Sequence, residues 1–128
     1  MGRPTGDADA SYVFRVTVRL DVESGFRVEP DRFETVLYRA ADPPGEDGWL
    51  FFRDTLWRGE VGDDAHARRL AEDALSVPVD SVSFSELQAS EAYLDELKAA
   101  IADDLGLFNA ETVTEVLTKY LGSSIRVE

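Results

Sequence analysis

Two tryptophans and two arginines fall within ten residues: Trp49, Arg53, Trp57 and Arg58, in the stretch WLFFRDTLWRGE at residues 49–60. Residues of these types at this spacing could do one kind of chemistry, the recognition of a partner or an anion. A planar guanidinium stacks on an indole face and presents a fork of N–H donors to a carboxylate or phosphate, each stacking contact contributing roughly 0.5–2 kcal/mol. Trp and Arg are also the side chains that most often anchor protein interfaces. The competing reading is structural. In it the aromatics bury in a strand, Trp57 closes the core at the strand's end, and Arg58 pairs with a nearby carboxylate.

Little else in the chain is equipped for reaction. There is no cysteine, which excludes disulfides, thiolate zinc sites and a cysteine nucleophile together. His66 is the only histidine, so neither a histidine-rich metal site nor a paired relay can be built. Asp63-Asp64 and Asp103-Asp104 could be acid/base pairs, but neighbouring helical positions point about 100° apart, and these aspartates read as helix caps and ends. Gly59-Glu60-Val61-Gly62 has the GxxG spacing of a KH-domain loop, yet Glu60, Asp63 and Asp64 would repel phosphate. No nucleophile elbow, P-loop, dinucleotide fingerprint or calcium-loop pattern occurs. Catalysis has no positive support, and no cofactor or metal is expected.

The charge balance narrows the partners. The chain carries 26 acidic against 13 basic side chains, a formal net charge of −13, and among the basic ones only Lys98 and Lys119 are lysines. Self-repulsion on this scale opposes compactness in dilute buffer. Salt relieves it, because the Debye length falls to about 3 Å at 1 M. An acid-rich, lysine-poor surface suits a cytosol holding molar potassium chloride. Between about 0.2 M and about 4 M salt, two arginine–phosphate contacts lose about two powers of ten in affinity. That cost, and the lack of any broad basic surface, argue against nucleic acid as the partner. The start of the chain lacks the apolar run of a signal peptide, and no stretch approaches the roughly 20 apolar residues of a membrane span. The expectation is a cytosolic, soluble protein.

The elements that must position the aromatic segment follow from periodicity. At 128 residues the chain suits one domain, burying roughly two-thirds of its unfolded surface. Residues 1–10 are small and polar and read as a loose leader, with the domain spanning residues 11–128. In YVFRVTVRLD, Tyr12, Phe14, Val16, Val18 and Leu20 alternate with polar positions, the period of a strand with one buried face. FETVLYRAA, residues 33–41, predicts a second strand. A Pro-Pro-Gly loop then leads to a third at residues 49–53, where Trp49, Phe51 and Arg53 share one face and Leu50 and Phe52 the other. Asp63 or Asp64 caps a helix to about Leu75 with Ala67, Leu70, Ala71 and Ala74 inward. Residues 79–87 form a fourth strand. Ser90 caps a helix carrying Tyr93 or Leu94, Leu97, Ile101 and Leu105, stopped by Gly106. Asn109 caps a last helix with Val113, Val116, Leu117, Tyr120 and Leu121 inward, closed by Gly122. Ile125 and Val127 then add a strand. The order β-β-β-α-β-α-α-β predicts an α+β domain: a mostly antiparallel sheet of four to five strands with helices on one face.

WLFFRDTLWRGE, followed near the end by FNAETVTEVLTKYLGSSIRVE, resembles the small haloarchaeal proteins named LWR-salt after a Leu-Trp-Arg triplet, here Leu56-Trp57-Arg58. The resemblance extends over nearly the whole chain from Ser11. It implies a halophilic archaeal source and marks those three residues for test. The leading expectation is a non-enzymatic interaction module that presents Trp57 and Arg58 to a protein partner or a second copy. The alternative is a pocket for a small anionic or nucleotide-like ligand, lined by Trp49, Arg53, Trp57 and Arg58. A flat exposed aromatic patch favours the first, and a concave site with converging guanidinium groups the second.

Overall fold

A computed structural model describes residues 9–20 and 25–128 of the chain. The first strand, β1 (Ala10–Arg19), turns Tyr12, Phe14, Val16 and Val18 inward, all nearly solvent-free, while Arg15 and Arg19 stay exposed. It starts at Ala10, at the end of the expected leader; residues 1–8 of that leader lie outside the described residues. β2 (Arg32–Ala40) pairs antiparallel with β1 through an unbroken register, Phe14 facing Leu37 and Val18 facing Phe33. On the other side of β1 lies β5 (Val79–Ala89), also antiparallel, its register shifted at Val13/Phe14 and Thr17/Val18. The last strand, β6 (Ile125–Val127), runs parallel to β5. The sheet is therefore ordered β2-β1-β5-β6, mixed but mostly antiparallel.

The helices cover one face of this sheet, as the α+β reading requires. α2 (Asp64–Leu75) is capped by the Asp63 carboxylate, which accepts from the His66 N–H. α3 (Glu91–Asp103) is capped by Ser90, whose hydroxyl accepts from the Tyr93 N–H. α4 (Val113–Leu121) brings Val116, Tyr120 and Leu121 into the same core as Tyr12, Leu87, Leu97 and Ile101. Burying each large apolar side chain of this set contributes roughly 1.5–3 kcal/mol.

Five expectations need correction. The helix capped by Ser90 ends at Asp103, and Leu105 and Gly106 fall in the 3-10 turn that follows it rather than at its end. Residues 49–53 are not a third strand: the chain turns at residues 43–50 and enters a short helix, α1 (Phe51–Thr55). One helical turn suffices to send Phe52 into the core and Phe51 against Tyr12, and packing prevails over the β preference of the aromatic run. α1 leads directly into a small hairpin, β3 (Leu56–Trp57) with β4 (Glu60–Val61), which the periodicity did not reveal. The last helix is capped by Thr112 rather than Asn109, which adopts a left-handed conformation closing a 3-10 turn at Leu105–Phe108. Of the residues expected inward on α2, only Ala67 and Ala71 are buried, while Leu70 and Ala74 are exposed. They border a hollow of about 220 Å³ whose walls also include Phe14, Leu37, Phe51 and Val82. The inner face of β2 is thus left partly uncovered.

Candidate functional site

The residues of the WLFFRDTLWRGE segment separate into a buried part and an exposed part. Gly48 starts the approach at φ +88°, with the Asp42 carboxylate beneath it so closely that a Cβ would strike it. Trp49 is half-buried, its ring edge-on to Phe108 at 5.8 Å and to Phe52 at 6.3 Å. Phe52 stacks on Phe108 with centroids 5.7 Å apart and 16° between planes, and both are fully buried. Arg53 is engaged locally: Nε and Nη2 reach Asp54 Oδ1 at 3.0 and 2.9 Å, and Nη1 donates to the Leu107 carbonyl at 3.3 Å. Leu56 belongs to the core. Three of the five predicted site residues, Trp49, Arg53 and Leu56, are therefore held in packing or local pairing.

Trp57 and Arg58 are different. The hairpin pairs Leu56 with Val61 and Trp57 with Glu60, leaving Arg58 and Gly59 as its two turn residues, at φ +54° and +80°. Positive φ at both positions is what a type I′ turn demands, and Asn, Asp or Gly usually supplies the first of them. The turn also closes α4. The last four carbonyls of a helix lack intrahelical partners, and here each finds one. Gly122 N–H donates to Thr118 at 3.1 Å, Arg58 N–H to Lys119 at 2.7 Å, Gly59 N–H to Tyr120 at 3.0 Å, and Ser124 N–H to Leu121 at 3.1 Å. The hairpin thus serves as a C-terminal cap supplied from elsewhere in the chain.

This fixed backbone holds Trp57 in the open. Its side chain lies edge-on to Tyr120, centroids 5.8 Å apart at 80°, and 46 % of the residue remains exposed. The Arg58 guanidinium lies 5.7 Å from the Trp57 ring centre, and Lys119 Nζ 5.9 Å from it. Lys119 is itself oriented by donating to the Phe108 and Asn109 carbonyls, at 2.9 and 3.2 Å. The result is an aromatic surface flanked by two cations on a strongly acidic chain. Sequence reasoning missed Lys119. The available signal was that it is one of only two lysines.

Other candidates resolve structurally. Gly59 N–H is spent on Tyr120, and Gly62 N–H donates to the Thr55 carbonyl at 2.8 Å, so neither glycine amide of the GxxG segment is left for phosphate. Asp63 and Asp64 start α2, while Asp103 and Asp104 end α3. His66 is exposed in the first turn of α2. Among the described residues no group of three or more His, Asp or Glu side chains could hold a metal ion. Nor is any helix among them long and apolar enough to cross a membrane. Trp49 borders a hollow of about 630 Å³ together with Arg39, Asp54 and His66; Arg53, Trp57 and Arg58 do not line it. The guanidinium groups of Arg53 and Arg58 are engaged separately, one with Asp54 and the Leu107 carbonyl, the other over the Trp57 ring.

The family model described as LWR-salt protein matches residues 8–128. No curated protein and no solved structure matches the chain.

Proposed function

We infer, from the premise that the chain belongs to the LWR-salt protein family, that it is a salt-adapted cytosolic interaction module offering Trp57 and Arg58, with Lys119 beside them, to a protein partner. One observation carries this reading. Arg58 occupies a left-handed turn position where a side chain other than Gly, Asn or Asp is strained, and the strain leaves its guanidinium over an exposed indole. Backbone strain of this kind costs on the order of 1 kcal/mol, and it concentrates where a side chain serves recognition. Apolar contact through Trp57 would persist in salt that screens charge pairs, and Arg58 and Lys119 would select carboxylate or carbonyl groups around it.

The test is capture from a haloarchaeal lysate held at molar potassium chloride, comparing the wild type with Arg58→Gly and Trp57→Ala after both variants are shown to be folded. A protein retained by the wild type and lost by both variants is the expected result. Recovery of the same proteins by all three, or of none by any, would overturn the proposal. Arg58→Gly is the informative variant because the turn accepts glycine. It should fold at least as stably as the wild type, by up to about 1 kcal/mol, so its loss of partner cannot be ascribed to unfolding.

A further inference from the structure

The free edge of the sheet carries a second, separate surface. β2 has a neighbour on one side only among the described residues, so its outer row of N–H and C=O groups faces outward over nine residues. Natural edges are usually blunted by Pro, Lys, a bulge or a very short strand. β2 has neither Pro nor Lys, its register with β1 is continuous over nine residues, and the charges it carries, Arg32, Glu34 and Arg39, are of both signs. Three large side chains on it remain nearly half exposed: Phe33 at 46 %, Val36 at 48 % and Tyr38 at 47 %. Beside its inner face lies the apolar hollow between Leu37 and the Leu70–Ala74 side of α2.

Charge identifies what fits there. Residues 31–40 hold Asp31, Arg32, Glu34 and Arg39, two acidic and two basic side chains, so this strip is neutral in a chain of net charge −13. We propose that the β2 edge pairs antiparallel with the β2 edge of a second copy of this chain, about a two-fold axis at Thr35, to give a continuous eight-stranded sheet. Antiparallel strands meet with matching faces, so the axis must pass through a residue. At Thr35 it sets Asp31 opposite Arg39 and Phe33 opposite Leu37, each twice, and Arg32 opposite Tyr38. The phenyl ring of each Phe33 then lies beside the hollow of the other copy. Moving the axis to Val36 would instead set Arg39 against Phe33 and Leu37 against Thr35, with no ion pair. Moving it to Leu37 would set Arg39 against Thr35. The register at Thr35 alone of these three matches both charge and apolar surface.

The absence of native cysteine makes the test direct. Residues facing each other across antiparallel strands have Cβ atoms about 4.5–5.5 Å apart, close to the reach of a disulfide. In molar potassium chloride, Thr35→Cys of the full chain should oxidise to a covalent dimer. Tyr38→Cys, displaced by several residues from its own copy, should not. The wild type should sediment at twice the mass of the chain, and Phe33→Glu as a single chain with unchanged far-ultraviolet dichroism, because Phe33 is already exposed in one copy. A wild type that sediments as a single chain at the same salt overturns the proposal. So does cross-linking of Tyr38→Cys as readily as Thr35→Cys, which would place the contact in another register. A dimer that survives Phe33→Glu would locate association elsewhere on the molecule and overturn it equally.

Discussion

Gly59 is the residue on which the exposed site most depends for its geometry. It sits at φ +80°, and a Cβ there would meet the Leu121 carbonyl oxygen at 3.1 Å. Gly59→Ala should therefore cost about 1–3 kcal/mol, read from denaturant midpoints, through strain and a loosened grip on the end of α4. An unchanged midpoint would show that the turn is not held as described. Tyr93 makes a different, pH-dependent contribution. Its hydroxyl donates to the Asp42 carbonyl at 2.8 Å, and burial, reinforced by Asp42 and Glu96, pushes its pKa up to about 12. Tyr12 is raised as well, again chiefly by burial. The fold thus favours the neutral phenol. This part of the stability is complete below the ordinary tyrosine pKa of about 10 and is lost as pH rises from about 10 towards 12. Tyr93→Phe should be weaker by about 1 kcal/mol at neutral pH, where the hydrogen bond is missing. It should then lose less than the wild type on going to alkaline pH, and parallel losses in the two proteins would contradict the linkage.

Among the elements, α4 shows how a local pattern sets a boundary. The Thr112 hydroxyl accepts from the Glu115 N–H at 3.1 Å, and the Glu115 carboxylate accepts from the Glu111 N–H at 3.2 Å. Thr112→Ala should cost about 1 kcal/mol in chemical denaturation, whereas Asn109→Ala removes no cap and should show no such loss through α4. The Thr-x-x-Glu spacing that identifies this cap was legible in the sequence, and Asn109 competed with it only because it precedes the same apolar run. β1, β2, β5, α2 and α3 were legible for the same reason: each is long enough for its period, 2 or 3.6, to be distinguished. α1 was not. Over five residues the aromatic positions of a helix and of a doubly buried strand coincide, and only the destinations of Phe51 and Phe52 decide between them. The two-residue strands β3 and β4 are shorter still, and their turn is signalled by Arg-Gly rather than by the usual Asn-Gly or Asp-Gly. Trp57 and Arg58 could thus be named from residue type, but their separation from Trp49 and Arg53 could not be foreseen while the path between them was misread.

For the whole molecule, the net charge of −13 is the dominant long-range term. The ion pairs Arg27–Glu29, Arg68–Asp64 and Arg126–Glu128 have both partners exposed, and pairs of this kind contribute little each, on the order of 0–1 kcal/mol, so they do not offset the repulsion summed over the surface. Thermal midpoints should rise from dilute buffer to molar potassium chloride, and a midpoint independent of salt would remove the basis for salt adaptation. The cap that the hairpin places on α4 also ties together segments some sixty residues apart. Its two amide protons, on Arg58 and Gly59, are shielded only while α4 is docked, so they cannot exchange with solvent faster than that helix end opens. The rate at which these two protons are lost to heavy water is therefore a clock for the undocking of the C-terminal helix, readable at the very surface proposed to meet a partner, and a partner that grips Trp57 would slow it.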